Sequence, residues 1–266
     1  MRREIRELKR GLLLLLHNLP MDADKRIELI SEKIKRAKKH LGDFEVARNR
    51  FFDPQPYVID REHNSQTGDD VFKVNNIRIP PVELALIAGD AIHNLRSALD
   101  HLTYQLVLVA GGKTSVRTGY PIFATAERYE SEKARKVEGM SDAAKHDIDA
   151  SKPYGGGTDE LYWLHTLNIS DKHHELLITL VSVSGALVIM PRWYKPRFQF
   201  YNFRTPVKDG DIILTCEPGF DENVNFAFDV AFGEPEVVKG KPVLELLHQT
   251  TDFVDNLIVS FRPHLE

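Results

Sequence analysis

Several features that would identify a chemistry outright are missing from this sequence. Cys216 is the only cysteine in 266 residues. An intrachain disulfide framework and a thiolate zinc site are therefore excluded, and a reducing cytoplasm is the expected compartment. The most conspicuous apolar run is five leucines at 12–16, behind basic residues and followed at once by His17 and Asn18. That is far short of the ~20 residues needed to span a bilayer and short for a secretion signal, so no membrane partner is expected. There is no glycine-rich nucleotide fingerprint and no nucleophile elbow. The net charge of −4 excludes a chain that coats nucleic acid non-specifically, but leaves room for a local basic surface.

What is present is an ordinary globular composition, 42% hydrophobic and 28% charged, in a chain long enough to bury a substantial core. Met21-Asp22-Ala23-Asp24 reads as a helix start. Residues 1–22 are accordingly expected to be a dispensable extension, with Met1 and Met21 both standing as starts, and 23–266 a single domain. Apolar residues at helical spacing (Ile27, Ile30, Ile34, Ala37, Leu41, Phe44) predict a helix over 24–51, stopped by Pro54 and Pro56. Strand-like segments follow near 57–61 and 71–79, with Gly68-Asp69 as a turn between them. Pro80-Pro81 opens a helix over 81–109. A charged, solvated helix is expected over 127–136, a flexible joint at Gly155-Gly156-Gly157, and a helix over 159–180 capped by Thr158. The period then changes to that of strands, with Lys208-Asp209-Gly210 as a hairpin turn, before a last helix over 242–261. The expected fold class is α+β. It comprises a mainly helical bundle (23–182 and 242–266) with a small antiparallel sheet at 183–233 inserted before the C-terminal helix.

The candidate chemistry lies on the helix over 81–109. At ~100° per residue, Leu95, Ala98, Leu99, Leu102 and Leu106 line one face. Asp90, His93, Asn94, Arg96, Ser97, Asp100 and His101 line the other. A solvated face normally shows Lys and Glu; histidine, arginine and short carboxylates are groups that carry protons, hold phosphate or ligate metal. On the helix over 159–180, His165, Asn168, Asp171, Lys172 and Glu175 form a second polar stripe. If the stripes converge, His93, Arg96, His101, His165 and Lys172 would line a pocket suited to an anion, and more specifically a phosphate.

The same residues admit other readings. Arg96 and Asp100, one turn apart, can pair with each other, while Asp171 neutralises Arg96 and Lys172 neutralises Asp100 in a register-setting network. A helical-bundle metal site could draw on Asp90, His93, His101, His165, His173 and His174, although no His-x3-His or His-Glu-x2-His pattern is present. In the sheet region, Arg192, Trp193, Tyr194, Lys195, Arg197, Phe198, Phe200, Tyr201, Phe203 and Arg204 interleave basic and aromatic groups. That suits base stacking or simply a half-buried strand pair.

The Arg96-x4-His101 spacing resembles the R-x(4-6)-H signature of the HEPN superfamily, helical domains that include metal-independent ribonucleases of toxin and defence systems. The resemblance implies a homodimer acting on RNA without cofactor or metal. His101 would serve as general acid or base on the ribose 2′-hydroxyl or the leaving 5′-oxygen, and Arg96 would stabilise the phosphorane. Asp100, Asn94 and His93 would orient them, with His165, Asn168, Asp171 and Lys172 holding substrate. The segment 93–102, together with Ser170-Asp171-Lys172-His173, is also similar to bacterial proteins of this size to which no activity attaches.

Overall fold

A computed structural model of the chain describes residues 21–174, 176, 178–184, 197–201, 205–219 and 226–266. The leucine run at 12–16, Glu175, Arg192, Trp193, Tyr194, Lys195, Phe203 and Arg204 lie outside the described residues. Helix α1 (Ala23–Phe52) starts where Asp22 accepts a hydrogen bond from the Lys25 backbone N–H at 2.8 Å, satisfying one of the orphan donors of the first turn. Its stripe of Ile30, Ile34, Ala37, Leu41 and Phe44, spaced four and three apart, is fully buried. Following α1 is an antiparallel hairpin of β1 (Val58–Asn64) and β2 (Asp69–Asn75), turned at Gly68 with φ +73°, a backbone conformation that glycine adopts without strain.

Helix α2 (Val82–Val109) packs along α1 and buries Leu84, Ala88, Ile92, Leu95, Leu99, Leu102 and Leu106. The segment between 110 and 158 leaves the bundle and carries the short helices α3 (Ala126–Glu132) and α4 (Asp142–Ala150). Helix α5 (Asp159–His173) returns against α2. The last helix, α6 (Val243–Ser260), packs on α1, α2 and α5 through Val243, Leu246, Leu247, Val254 and Ile258. Buried apolar residues of the helices and sheets form one contiguous core. No described helix is long and apolar enough to cross a membrane.

The α+β reading therefore stands, with corrections to its parts. The main sheet has the antiparallel order β1-β2-β5-β4, where β4 is Phe198–Phe200 and β5 is Asp211–Cys216. Half of it thus precedes α2 and is not confined to 183–233. The hairpin's inner strand β2 has an open edge, and β5 supplies the missing ladder. The turn at Lys208-Asp209-Gly210 fixes that register. Gly210 N–H reaches the Val74 carbonyl at 2.9 Å, and Asp209 accepts from Ile77 N–H at 2.9 Å.

A separate pair joins β3 (Ile178–Ser184) to β6 (Ala227–Phe232). The expected helix over 159–180 therefore ends at His173, because the β-branched residues Ile178, Thr179 and Val181 find a strand partner instead. Thr158 holds the N-cap position, but its hydroxyl donates to the Ser151 carbonyl rather than accepting from the helix. The charged helix α3 is not wholly solvated, since Tyr129 is buried on it. Nor is Gly155-Gly156-Gly157 a loose joint: a Cβ on Gly155 would lie 2.4 Å from the Ala124 carbonyl oxygen, and one on Gly157 2.3 Å from that of Lys152.

Candidate functional site

Arg96 lies on the part of α2 that the 110–158 segment covers, and it is 8% exposed. Its Nη2 donates to Asp100 Oδ1 at 2.7 Å and to the Tyr120 carbonyl oxygen at 2.7 Å. The Tyr120 backbone N–H donates to the same Asp100 oxygen at 2.9 Å. Guanidinium, carboxylate and the backbone N–H and C=O of Tyr120 thus close a ring that fastens the 118–120 loop onto α2. A Cβ on Gly119 would lie 2.8 Å from Asp100 Oδ1, so this approach depends on glycine. Burial pushes the Arg96 guanidinium down from its ordinary value, against the opposing pull of Asp100. Its Nη1 is buried without a hydrogen-bond partner.

His101 points elsewhere. Five residues after Arg96, it is rotated ~140° around the helix and lines an open cavity of about 500 Å³ with Leu29, Asp100, Tyr104, Gln105 and Thr118. Burial and Lys33 of α1 push its imidazole below the ordinary histidine value, with Asp100 opposing. The ring is thus largely neutral at pH 7 and can accept a proton. His93 is exposed, with Nε2 3.5 Å from Ser97 Oγ. Asn94 donates to the Asp90 carbonyl at 2.7 Å. Neither side chain orients Arg96 or His101.

Helices α2 and α5 are packed neighbours, as the stripes predict, but the polar groups sort into separate places. His165 is mostly buried, and burial followed by Arg96, Lys136 and Lys172 pushes it down to about 4. Asn168, one turn on, is 5% exposed and leaves Oδ1 without a partner. Asp171 packs over Gly89, where a Cβ would lie 2.3 Å from its Oδ1. Burial and the Asp90 carboxylate push Asp171 up, only partly offset by His93 and Lys172.

The expected neutralising pairs, Asp171 with Arg96 and Lys172 with Asp100, do not form among the described residues. Arg96 finds Asp100 on its own helix and a backbone carbonyl from a loop, and Lys172 is exposed at the end of α5. Of the five residues expected in one pocket, Arg96 is held in its ring, His101 opens on the cavity with Leu29 and Gln105, and His93 and Lys172 are exposed, while Arg96 and Lys172 lie near enough to His165 to push it down. Among the described residues, no three His, Cys, Asp or Glu side chains meet in a way that could hold a metal ion.

Two components were not anticipated from the sequence. Tyr120 contributes only backbone atoms to the Arg96 ring, so no side-chain pattern marks it. Gly89 had a signal: a lone glycine inside a helical pattern costs about 1 kcal/mol relative to alanine and often marks a close approach. No family model, curated protein or solved structure matches the chain.

Proposed function

We propose that the chain is a cytoplasmic, non-catalytic interaction or regulatory module, in which the polar faces of α2 and α5 serve as a structural network. One observation carries this reading. The Arg96 guanidinium is sealed under the Asp100 carboxylate and the Tyr120 carbonyl, so it does not reach a phosphate at the surface. A guanidinium placed for catalysis presents its donor fork to the substrate. Here one bond of Nη2 goes to Asp100 on the same helix and the other to the Tyr120 carbonyl of the covering loop. The test is incubation with structured and unstructured RNA in EDTA, wild type beside His101→Ala. The module reading expects no cleavage by the wild type, or the same trace activity in both preparations.

A second reading is a HEPN-like, metal-independent ribonuclease or RNA-binding protein of a bacterial defence or toxin type, acting as a homodimer. It is favoured by His101, whose neutral ring borders a cavity of about 500 Å³ beside the Asp100 carboxylate. General-base work needs such a group within reach of the hydroxyl it deprotonates. Cleavage in EDTA that disappears in His101→Ala would favour this reading over the first. Sedimentation as a monomer would count against it, because the implied composite site needs two chains.

A further inference from the structure

The segment between α2 and α5 holds a second, open cavity of about 350 Å³, which neither Arg96 nor Asp100 lines. Its apolar wall consists of the buried Val137 and Ile148, with Ala134 and the ring of Tyr129. Its charged lining is Lys133, Glu138, Lys145 and Asp149. Both ammonium groups already have carboxylate partners. Lys133 Nζ lies 2.8 Å from Asp149 Oδ1 and 3.0 Å from Glu130. Lys145 Nζ lies 3.0 Å from Asp142.

The acceptors are not used up. The Tyr129 hydroxyl donates to the same Asp149 oxygen that Lys133 holds. Burial pushes that carboxyl up, but the hydrogen bonds from Lys133 and Tyr129 outweigh it and hold Asp149 below its ordinary value, so it is charged. Asp149 Oδ2 and the whole Glu138 carboxylate have no partner among the described residues. Glu130 and Asp142, which pair with Lys133 and Lys145, lie outside the lining, so the two lining ammoniums are matched by carboxylates from both inside and outside the cavity, with the His146 ring near Asp149 as a further basic group.

We propose that this cavity binds a small organic cation with an apolar body, an alkyl- or arylalkylammonium. The volume falls at the lower end of ligand pockets, about 300–1,000 Å³. The ammonium would donate to Asp149 Oδ2 and Glu138, and the body would cover Val137, Ile148 and Ala134. An anion of the same shape would meet unpaired carboxylates, and a neutral analogue would leave both without a charged donor. The face of Tyr129 does not supply the recognition, because Lys133 Nζ already occupies it at 4.8 Å from the ring centroid.

The test is a titration of the full chain with phenethylammonium, followed by amide chemical shifts. 3-Phenylpropanoate and 3-phenylpropanol serve as controls at the same ionic strength. We expect saturable shifts confined to residues 129–149, from the ammonium alone. The exposed change Glu138→Gln should weaken binding roughly two- to fivefold, the contribution of one partly solvated ion pair. Ala134→Trp, also at an exposed position, should fill the cavity and abolish binding, with an unchanged melting curve showing that the fold is kept. The proposal is overturned by an absence of saturable shifts at millimolar ammonium, by an equal response to the carboxylate or alcohol, or by shifts centred elsewhere. Binding unaffected by either substitution would overturn it equally.

Discussion

Helix α2 carries two charged places about two turns apart, one under the 110–158 segment and one under α5, and they are built on opposite principles. At Arg96, opposite charges and the backbone N–H and C=O of Tyr120 complement one another in a buried ring, and the loop it holds belongs to neither helix. At Asp171, a carboxylate packs over Gly89, and burial together with the like charge of Asp90 pushes its pKa up. The first place specifies which segment covers α2. At the second, the close packing at Gly89 is kept in spite of the electrostatics. The contrast shows that a polar stripe on a helix is not one functional unit: neighbouring residues on it can stabilise one packing contact and strain another.

The sharpest way to break the comparison is Arg96→Ala. It leaves Asp100 and the Tyr120 carbonyl without their shared donor, and removing one partner of a buried ion pair costs ~3–5 kcal/mol. The lower end applies here, because the Asp100 side chain is 39% exposed. For a chain of this size a loss of that order lowers Tm by roughly 6–12 °C. Thermal or urea unfolding measures it. A variant as stable as wild type would mean that the ring does not hold the loop, and the module reading would lose its support.

His165 tests the same place by pH. Its folded value of about 4 lies below the ordinary 6.5, so between these values the unfolded chain binds more proton than the folded one. Stability from this group is complete above pH 6.5 and is lost as pH falls toward about 4, on the order of 3 kcal/mol in total. His165→Gln, which cannot titrate, should flatten the unfolding free energy across that window. An unchanged slope would place the acid sensitivity elsewhere.

The helices were legible because their burial is periodic and local: Ile30, Ile34, Ala37, Leu41 and Phe44 fix one face of α1 without reference to any other element. The early end of α5 was not, since Ile178, Leu180 and Val181 suit a buried helix or a buried strand equally until Val230 and Phe232 are seen to pair with that segment. Partnership of β2 with β5 is a contact across more than 130 residues, and nothing in either strand names the other. Helix α4 did carry a readable sign, Ser141 capping the Ala144 N–H at 3.3 Å, in a stretch otherwise without strong periodicity. Within the site, Arg96 with Asp100 follows from spacing alone. The ~140° between Arg96 and His101 was also in the spacing, but the burial of Arg96 depended on the Tyr120 loop, which contributes a carbonyl that every residue has.

The last way to sharpen the comparison is a double-mutant cycle at Gly89 and Asp171. Gly89→Ala brings a methyl into the Asp171 carboxylate, and overpacking of this kind costs typically ~1–3 kcal/mol. The obstruction is the end of a short side chain rather than backbone, so the low end, about 1 kcal/mol, is expected. Asp171→Ala alone should be close to neutral or slightly stabilising at pH 7. It removes a carboxylate that the folded state holds above its unfolded value, whose favourable contribution is present below pH 3.8 and lost as pH rises through the folded value. In the Asp171→Ala background the three atoms nearest that methyl, all of the Asp171 carboxylate, are gone. Gly89→Ala should then show only the helix-propensity gain of about 1 kcal/mol. The sign of the glycine substitution therefore reverses between backgrounds, a coupling of about 2 kcal/mol, within the range for residues in direct contact. Additive effects in urea unfolding would mean that Asp171 does not sit over Gly89, and the strained half of the comparison would not exist.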